Sequence, residues 1–330
     1  MPPRYAQPHH DPHPEVPPAR RSDLTDPLFL TAEAVLQSKA QGGPNAIALA
    51  NPFGHSMEIH EIRWQLRGAL TSGINGGAIG CQLNLGSIPL TNGFVPVFNF
   101  GRMDTVFAES QVAMGPLPTN ANLEFQWRLP RPLFVPAGAV LTPKFEHRGE
   151  QVRTAITVRI SYVGASLPAS ASPPKRVPVP WVAFWASNPI DITAPSTQQS
   201  RETDLVSPPG DADLILQRFS GRLVTTFGFG AGNVIADDSN SLISGARFTT
   251  IRMVDSRGNP IIRKATPFRQ AFEEVTRTWE LPPGSRLTPK GFYRVFMRHT
   301  VEPNPALAFN LTSQLFVGMV GYREIDRGDV

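Results

Sequence analysis

The sequence predicts an all-β protein that consists of two tandem copies of one β-sandwich domain. Three observations support this fold class: a nine-residue block occurs twice, segments of alternating apolar and polar residues recur, and turn-forming residues are abundant, with 34 prolines and 27 glycines in 330 residues. A strand with one buried face requires such alternation. Many prolines and glycines between short apolar runs are typical of chains with many strands and turns.

The repeated block reads P-A-G-A-V-L-T-P-K at 136–144 and P-P-G-S-R-L-T-P-K at 282–290, with six of nine positions identical. Each copy predicts a turn, a short strand and then a proline that ends the hydrogen-bonded ladder. The identical pairs are Pro136/Pro282, Gly138/Gly284, Leu141/Leu287, Thr142/Thr288, Pro143/Pro289 and Lys144/Lys290.

A second match lies earlier in each half, where A-I-A-L-A-N-P at 46–52 resembles V-A-F-W-A-S-N-P at 182–189 with one inserted residue. It includes the dipeptides Asn51-Pro52 and Asn188-Pro189. From this proline to the first proline of the block there are 84 positions in the first half and 93 in the second. Two landmarks in the same order at similar spacing indicate a duplicated unit of domain size.

The predicted division of the chain follows from these landmarks and from composition. Residues 165–180 are small, polar and proline-rich, which favours a stiff, extended linker. The predicted units are a disordered N-terminal arm at 1–25, a short helix at 26–42, a first sandwich at 43–166, a linker at 167–180, a second sandwich at 181–325 and a C-terminal tail at 326–330.

The N-terminal arm is predicted to be extended or disordered, because residues 1–22 carry seven prolines and little apolar surface to bury. Arg4, Arg20 and Arg21 are candidates for contacts with phosphates, lipid headgroups or a neighbouring subunit, and the sequence does not choose among these. The following helix is predicted from the high propensity of Ala, Glu, Leu and Gln, with Thr31 as a candidate N-cap. We expect it to dock on the chain's own sheet or on a neighbouring subunit rather than on a membrane.

Alternation predicts the individual strands. In the first copy it is strongest at 57–66 and 154–163. In the second copy the predicted strands are 214–217, 222–229, 247–254, 275–281, 293–299 and 315–322, with a polar loop at 190–210 before them. The residues Asp255 to Pro260 give a strong turn signal after one of these strands.

Composition excludes several classes of protein. The formal net charge is only +4 and there is no basic stripe of the kind that nucleic-acid binders carry. One cysteine, Cys81, allows no intrachain disulfide. The N-terminus lacks the apolar segment of a signal peptide, and no apolar run approaches the ~18 residues of a spanning helix. We expect a soluble intracellular product.

No predicted catalytic residue, cofactor site or metal site emerges. The segment G-H-S-M-E at 54–58 lacks the second glycine of a nucleophile elbow and precedes a strand. His60-Glu61 lacks the second histidine of a zinc protease motif. Glu146, His147 and Glu150 have no counterparts in the second copy and are interpreted as part of a solvated loop. Cys81 lies in an apolar run and is predicted to be buried and inert.

The two L-T-P-K blocks and the two Asn-Pro pairs indicate duplication. A chain of this length, in which two tandem β-sandwich units follow a short arm and helix, resembles the double jelly-roll major capsid proteins. These build the shells of tailless icosahedral bacteriophages such as tectiviruses and corticoviruses. The resemblance covers nearly the whole chain. It implies two eight-stranded jelly rolls and a structural protein without enzymatic activity or cofactor.

The resemblance also implies partners. Three copies of the chain would form a homotrimer with a six-fold-like outline that tiles an icosahedral shell. Loops at 67–77, 101–121 and 190–210 would form outward towers or intersubunit clamps. Further partners would be minor capsid or vertex proteins and, through the arm at 1–25, an internal membrane or the genome. The implied location is the virion, assembled in the host cytoplasm.

The competing hypothesis is a glycan- or receptor-binding β-sandwich, such as a phage spike or a two-module lectin. Aromatic residues on exposed loops would favour it, because sugars stack on them. The five tryptophans fall in or beside strand-like runs and are predicted to lie in the cores: Trp64, Trp127, Trp181, Trp185 and Trp279. A β-sandwich glycosidase comes third, since no carboxylate pair occurs in both copies.

Overall fold

A computed structural model gives the fold of the chain. It describes residues 26–36, 45–46, 49–50, 55–68, 79–97, 100, 102–103, 121–147, 156–168, 175–186, 190–191, 199–208, 210–229, 232–237, 249–272, 278–299 and 311–326. Within these ranges most residues lie in β-strands, and one helix, α1 (Phe268–Ala271), spans a single turn. No helix among the described residues has the length and hydropathy needed to cross a membrane.

The first sandwich has two antiparallel sheets. Its strands are β1 (Asp26–Leu36), β2 (Asn45–Ala46), β3 (Leu49–Ala50), β4 (Met57–Gly68), β5 (Ile79–Leu85), β6 (Ile88–Pro89), β7 (Val95–Pro96), β8 (Arg102–Met103), β9 (Ala121–Val135), β10 (Val140–His147) and β11 (Ile156–Ser166). One sheet has the order β1-β11-β4-β9-β8. The other has the order β2-β10-β5-β6, with β3 beside β10 and β7 beside β5.

The second sandwich is built in the same way. Its strands are β12 (Arg176–Ala186), β13 (Ile190–Asp191), β14 (Gln199–Val206), β15 (Leu214–Phe229), β16 (Gly232–Asp237), β17 (Thr249–Asp255), β18 (Pro260–Pro267), β19 (Thr278–Glu280), β20 (Arg286–Leu287), β21 (Phe292–His299) and β22 (Leu311–Asp326). One sheet has the order β12-β22-β15-β16, with β13 beside β22 and with β19 and β20 beside β15. The other has the order β14-β21-β17-β18.

Both sandwiches have jelly-roll topology. If the successive strand positions are lettered B to I, the first sandwich reads B-I-D-G (β1, β11, β4, β9) in one sheet and C-H-E-F (β2–β3, β10, β5, β6–β7) in the other. The second sandwich reads B-I-D-G (β12, β22, β15, β19) and C-H-E-F (β14, β21, β17, β18). The strand orders therefore establish two tandem jelly rolls, as predicted.

A β-bulge at the same place in both sandwiches supports the duplication. In the first, the pairing of β11 with β4 shifts register between Val163 and Gly164. In the second, the pairing of β22 with β15 shifts between its residues Val320 and Gly321. The two bulges align the copies residue by residue, Val163 with Val320 and Gly164 with Gly321.

The glycines at the bulges have a common physical role. A side-chain carbon at Gly164 would collide with the backbone oxygen of Glu58, and one at Gly321 would collide with that of Ile215. Only glycine allows the two neighbouring strands to approach this closely. Each glycine is thus required by the bulge of its own sandwich.

Each sandwich has an apolar core between its sheets. Trp64, Trp127 and Tyr162 are fully buried in the first core, and Phe219 and Met319 in the second. Burial of such large side chains contributes about 1.5–3 kcal/mol each to the free energy of unfolding. The prediction that Trp64, Trp127 and Trp181 lie in the core is confirmed, whereas Trp185 and Trp279 are only partly buried at its margin.

The predicted helix at 26–42 is wrong over its described part. Residues 26–36 form β1, which pairs with β11 along its entire length. Leu28 and Leu36 face the core, whereas Phe29 and Val35 are exposed, so the segment alternates as a strand does. Helix propensity is a weak preference that this pairing overrides. Accordingly the first sandwich begins at Asp26 and not at residue 43.

Part of the predicted linker at 167–180 is also a strand. β12 begins at Arg176, and Val177 and Val179 are fully buried. The prolines Pro178 and Pro180 are tolerated because β12 is an edge strand, where a missing donor breaks no ladder. Similarly, the predicted loop at 190–210 contains β13 and β14.

The turns of the repeated block share a local geometry but not a place in the fold. The amide of Ala139 donates to the oxygen of Pro136, and that of Ser285 donates to the oxygen of Pro282. Gly138 and Gly284 are the third residues of these turns and have φ values of 76° and 84°. A type II turn requires a positive φ at its third residue, which favours glycine there. The first turn connects strand G to strand H, whereas the second lies between β19 and β20, which both pair with β15.

After the turn the two copies of the block differ. In the first, Leu141, Thr142, Pro143 and Lys144 lie within strand H (β10), which continues past the proline to His147. Pro143 pairs with β5 on one side, and on the other it falls between the pairings with β2 and β3. The proline therefore does not end the strand. In the second copy, Leu287 ends β20, and Thr288, Pro289 and Lys290 form a turn before strand H (β21).

The earlier landmark does not mark equivalent strands. Ala46, Leu49 and Ala50 belong to strand C of the first sandwich, whereas residues 182–186 belong to strand B of the second. The similarity reflects two unrelated apolar strand ends. Asn51, Pro52, Asn188 and Pro189 themselves lie outside the described residues, as do Arg4, Arg20 and Arg21.

Candidate functional site at the contact between the sandwiches

The first sandwich covers the edge of the second. Residues 90–92, which lie between β6 and β7, run beside β12 and form a parallel bridge from Thr91 to Val182. The amide of Asn92 donates to the oxygen of Val182 at 2.8 Å, and the amide of Val182 donates to the oxygen of Leu90 at 3.1 Å. The backbone of an edge strand is thereby satisfied by a segment of the neighbouring sandwich.

The side chains beneath this segment are apolar. Val182, Phe316 and Val320, here called the covered patch, lie on the outer face of the β12–β22 pair and belong to the core of the first sandwich. Val182 and Val320 are fully buried, and Phe316 stacks on Phe184 at 5.9 Å between ring centroids. The contact therefore resembles a core more than a surface.

A buried arginine also joins the sandwiches. Arg218, on strand D of the second sandwich, donates a hydrogen bond to the backbone oxygen of Phe100 of the first. The Phe100 ring packs against Trp64 and Trp127, at 4.7 and 5.3 Å between centroids. A hydrogen bond from a buried cation to a fixed carbonyl sets the relative position of the two units.

The corresponding face of the first sandwich is exposed. The bulges align β11 with β22, and the pairings of β1 and β12 then place Phe29 at the position of Val182. By the same alignment Arg159 corresponds to Phe316 and Val163 to Val320. We call Phe29, Arg159 and Val163 the open patch.

The open patch differs from the covered patch in exposure and polarity. Phe29 is 60% exposed, and its strand β1 is the edge of its sheet. Arg159 makes two hydrogen bonds to Glu33, at 2.8 and 3.0 Å. Beside the patch is a groove of about 470 Å³ that includes Phe29, Arg159 and Ser161. An edge strand with an exposed aromatic residue is a candidate binding surface.

A buried carboxylate lies on the same sheet. Glu61 of β4 accepts a hydrogen bond from Arg63 and lies 3.6 Å from the guanidinium of Arg128. Burial alone would raise the pKa of Glu61. Hydrogen bonds from Arg63 and Gln126 and the charges of Arg63 and Arg128 outweigh burial, so the pKa is below its usual range. Glu61 is therefore ionised near neutral pH.

A second groove lies where the two sandwiches meet, with a volume of about 830 Å³. Its charged groups include two ion pairs, Arg176 with Asp326 at 3.6 Å and Arg286 with Asp213 at 3.7 Å. Both pairs are largely exposed and contribute little to stability. Across the described ranges no group of three potential metal ligands occurs.

The remaining sequence-predicted candidates do not come together. Cys81 is fully buried in the first core, as predicted, and burial raises the pKa of its thiol. Glu146 and His147 lie in strand β10 and not in a loop, and Glu150 lies outside the described residues. Sequence reasoning missed the open and covered patches, because neither contains a motif. The signal that was available is the Val-Gly dipeptide, which occurs once in β11 and twice in β22, since glycine within a strand is a mark of a bulge.

Two jelly rolls joined through the edge of one of them define a double jelly-roll protein. No protein-family model and no curated protein matches the chain. Similar solved structures include the PBCV-1 virus capsid, with 10% identity, 92% of this chain and 96% of that chain covered, and a TM-score of 0.45.

Two further similar structures also come from viruses. One is the virophage Sputnik, with 10% identity, 97% and 91% coverage and a TM-score of 0.40. The other is the mavirus major capsid protein, with 7% identity, 97% and 93% coverage and a TM-score of 0.36. The assignment of the fold to this chain rests on its own strand orders.

Proposed function

We propose that the chain is a structural protein that assembles with copies of itself into the shell of an icosahedral virus. The observation that carries the proposal is the paired jelly roll with one edge covered and the equivalent edge open. Jelly rolls recur in viral capsids, where they serve as building blocks. A chain whose two halves share one fold offers similar sides to its neighbours, as a lattice subunit requires.

The contact between the sandwiches supports this role. Arg218 and the covered patch hold the two sandwiches against each other through buried groups. The two sandwiches would therefore enter a lattice as a single unit. In the groove between the sandwiches, by contrast, Arg176 pairs with Asp326 and Arg286 pairs with Asp213. This arrangement suits a structural protein.

The finer parts of the proposal concern assembly. Three chains would form a trimer with a six-fold-like outline, and trimers would tile the shell of a tailless bacteriophage of the tectivirus or corticovirus type. Minor capsid or vertex proteins, and a membrane or genome reached by the arm at 1–25, would be further partners. The shell would assemble in the host cytoplasm. These statements rest on the resemblance in the sequence.

The test is the mass of the purified full-length chain, measured by multi-angle light scattering across a concentration series and followed by electron microscopy. The proposal predicts a trimer that forms sheets or shells as concentration rises. A chain that stays monomeric at all concentrations and binds to a glycan array would contradict it and favour the lectin hypothesis.

A further inference from the structure

We propose that the open patch of one chain is bound by residues 263–265 of a second chain, in the manner in which residues 90–92 bind the covered patch within a chain. The inference depends on the proposed self-assembly and goes beyond it, because it assigns the two surfaces that meet. Its partner is a second copy of this chain.

The first step is the equivalence of the two patches. Phe29 pairs with Val163 as Val182 pairs with Val320, and both pairs directly precede the glycine of the bulge on strand I. Two residues earlier on strand B, Pro27 matches Pro180. Phe29 thus occupies the position at which Val182 receives its bridge from the neighbouring sandwich.

The second step is the equivalence of the binding segments. In the first sandwich, strand F has a long bulge opposite strand E: between the pairs Asn84–Pro89 and Cys81–Val95, the five residues 90–94 lie opposite two. The amide of Leu90 still donates to the oxygen of Leu83, while residues 90–92 also reach β12. The bulge therefore lets strand F contact both its own sheet and the next sandwich.

Strand F of the second sandwich has the same feature. Between the pairs Met253–Ile262 and Ile251–Thr266 its residues 263–265 loop out of the ladder, and all three are exposed. The hairpin that leads to them is fixed, because the carboxylate of Asp255 accepts hydrogen bonds from the amides of Arg257 and Asn259. The second sandwich therefore offers a similar segment, which the described part of the chain leaves exposed.

The chemistry of the two surfaces is complementary. The segment 263–265 carries Arg263 and Lys264, and the Glu33 carboxylate beside the open patch accepts from Arg159 but is still 46% exposed. A carboxylate has acceptor sites for a second cation. Phe29 supplies an apolar anchor of the type that dominates interface energetics. Because a different surface of each chain is used, the contact is heterologous, and repeated copies close into a ring if the rotation allows.

The test is disulfide cross-linking between two singly substituted full-length chains, Phe29→Cys and Lys264→Cys, mixed in equal amounts. Neighbouring strands lie about 4.8 Å apart, which is within the range of a disulfide. The native Cys81 is buried and does not compete. Val35→Cys, on the same face of β1 and also exposed, replaces Phe29→Cys in the control mixture.

The proposal predicts covalent dimers in the first mixture, and few in the control mixture or in either variant alone. If light scattering shows assembly but the first mixture does not cross-link above the control, the inference fails and the proposed function survives. If the chain remains monomeric, both fail. Cross-linking that appears only after residues 1–22 are removed also overturns the inference, because the chain's own arm would then occupy the patch.

Discussion

The covered patch and the open patch occupy equivalent positions in two copies of one fold, yet they differ in composition and surroundings. Where the second sandwich has Val182 and Phe316, the first has Phe29 and Arg159. The covered patch is sealed by the neighbouring sandwich of the same chain, and its side chains are buried. The open patch is an exposed edge with a charged residue at its centre.

The difference shows how a duplicated unit acquires two kinds of contact. A contact that forms once, during folding, can be wholly apolar, because it is never separated in water. A surface that must remain soluble before assembly needs polar groups, and the pair formed by Arg159 and Glu33 supplies them. Five predictions sharpen this comparison, beginning with the largest expected effect.

The largest contrast is expected from the same substitution at both equivalent positions. Val182→Asp places a carboxylate in the fully buried covered patch and should lower the free energy of unfolding by about 4 kcal/mol. Phe29→Asp changes an exposed site and should lower it by less than about 0.5 kcal/mol. Urea denaturation of both variants measures the contrast, and equal losses would contradict the assignment of covered and open patches.

The bulge glycines should be equally sensitive in both copies. Gly164→Ala and Gly321→Ala each force a side-chain carbon against a backbone oxygen of the adjacent strand, and each should cost about 3 kcal/mol. Thermal or urea denaturation provides the measurement. If one variant proves neutral while the other is destabilised, the residue-by-residue alignment of the sandwiches is incorrect.

The buried arginine should couple the two sandwiches. Arg218→Met removes the hydrogen bond to the oxygen of Phe100 while keeping much of the side-chain volume, and should cost about 2 kcal/mol. Calorimetry should show a broader transition, because the sandwiches then unfold less cooperatively. Arg131→Met is the matched control, since Arg131 is exposed and lies over the Tyr322 ring at 6.0 Å. A similar loss in both variants would argue against a special role of Arg218.

Acid should weaken the first sandwich through Glu61. Its folded pKa is depressed, so it contributes stability above the unfolded pKa, and this contribution disappears as pH falls through the folded pKa. In the Glu61→Gln variant the free energy of unfolding should therefore fall less steeply as the pH is lowered. Urea denaturation at a series of pH values measures this dependence. An unchanged acid slope would show that the carboxylate is not stabilised by Arg63 and Arg128.

The smallest effect is expected at the polar pair beside the open patch. The side chains of Arg159 and Glu33 are 37% and 46% exposed, so a double-mutant cycle with Arg159→Gln and Glu33→Gln should give a coupling below about 1 kcal/mol. The coupling should fall further in high salt. A salt-independent coupling above about 2 kcal/mol would mean that the pair stabilises folding rather than solubility.

The sequence predicted those parts of the fold that local pattern specifies. The strict alternation at 57–66 became β4, and the turn signal after Asp255 became the hairpin from β17 to β18. The P-x-G turns of the repeated block share their local geometry, in which Gly138 and Gly284 adopt positive φ. These features depend on neighbouring residues alone.

Long-range pairing decided the features that the sequence did not predict. Residues 26–36 have helical composition, but β11 offers a partner for the whole segment, and strand pairing prevailed. Residues 176–180 have linker composition, but an edge position makes their prolines acceptable. The open and covered patches arise from equivalent positions on strand B, and their equivalence depends on register, which short motifs do not specify.

The most direct test of the account compares backbone hydrogen exchange at the two equivalent positions, Val182 and Phe29, across a range of concentrations. We predict that the amide of Val182 is protected at every concentration, since it donates to Leu90 within the chain. The amide of Phe29 should exchange rapidly in dilute solution and become protected as the protein assembles. Protection of Phe29 that does not change with assembly, or rapid exchange at Val182, would contradict the account.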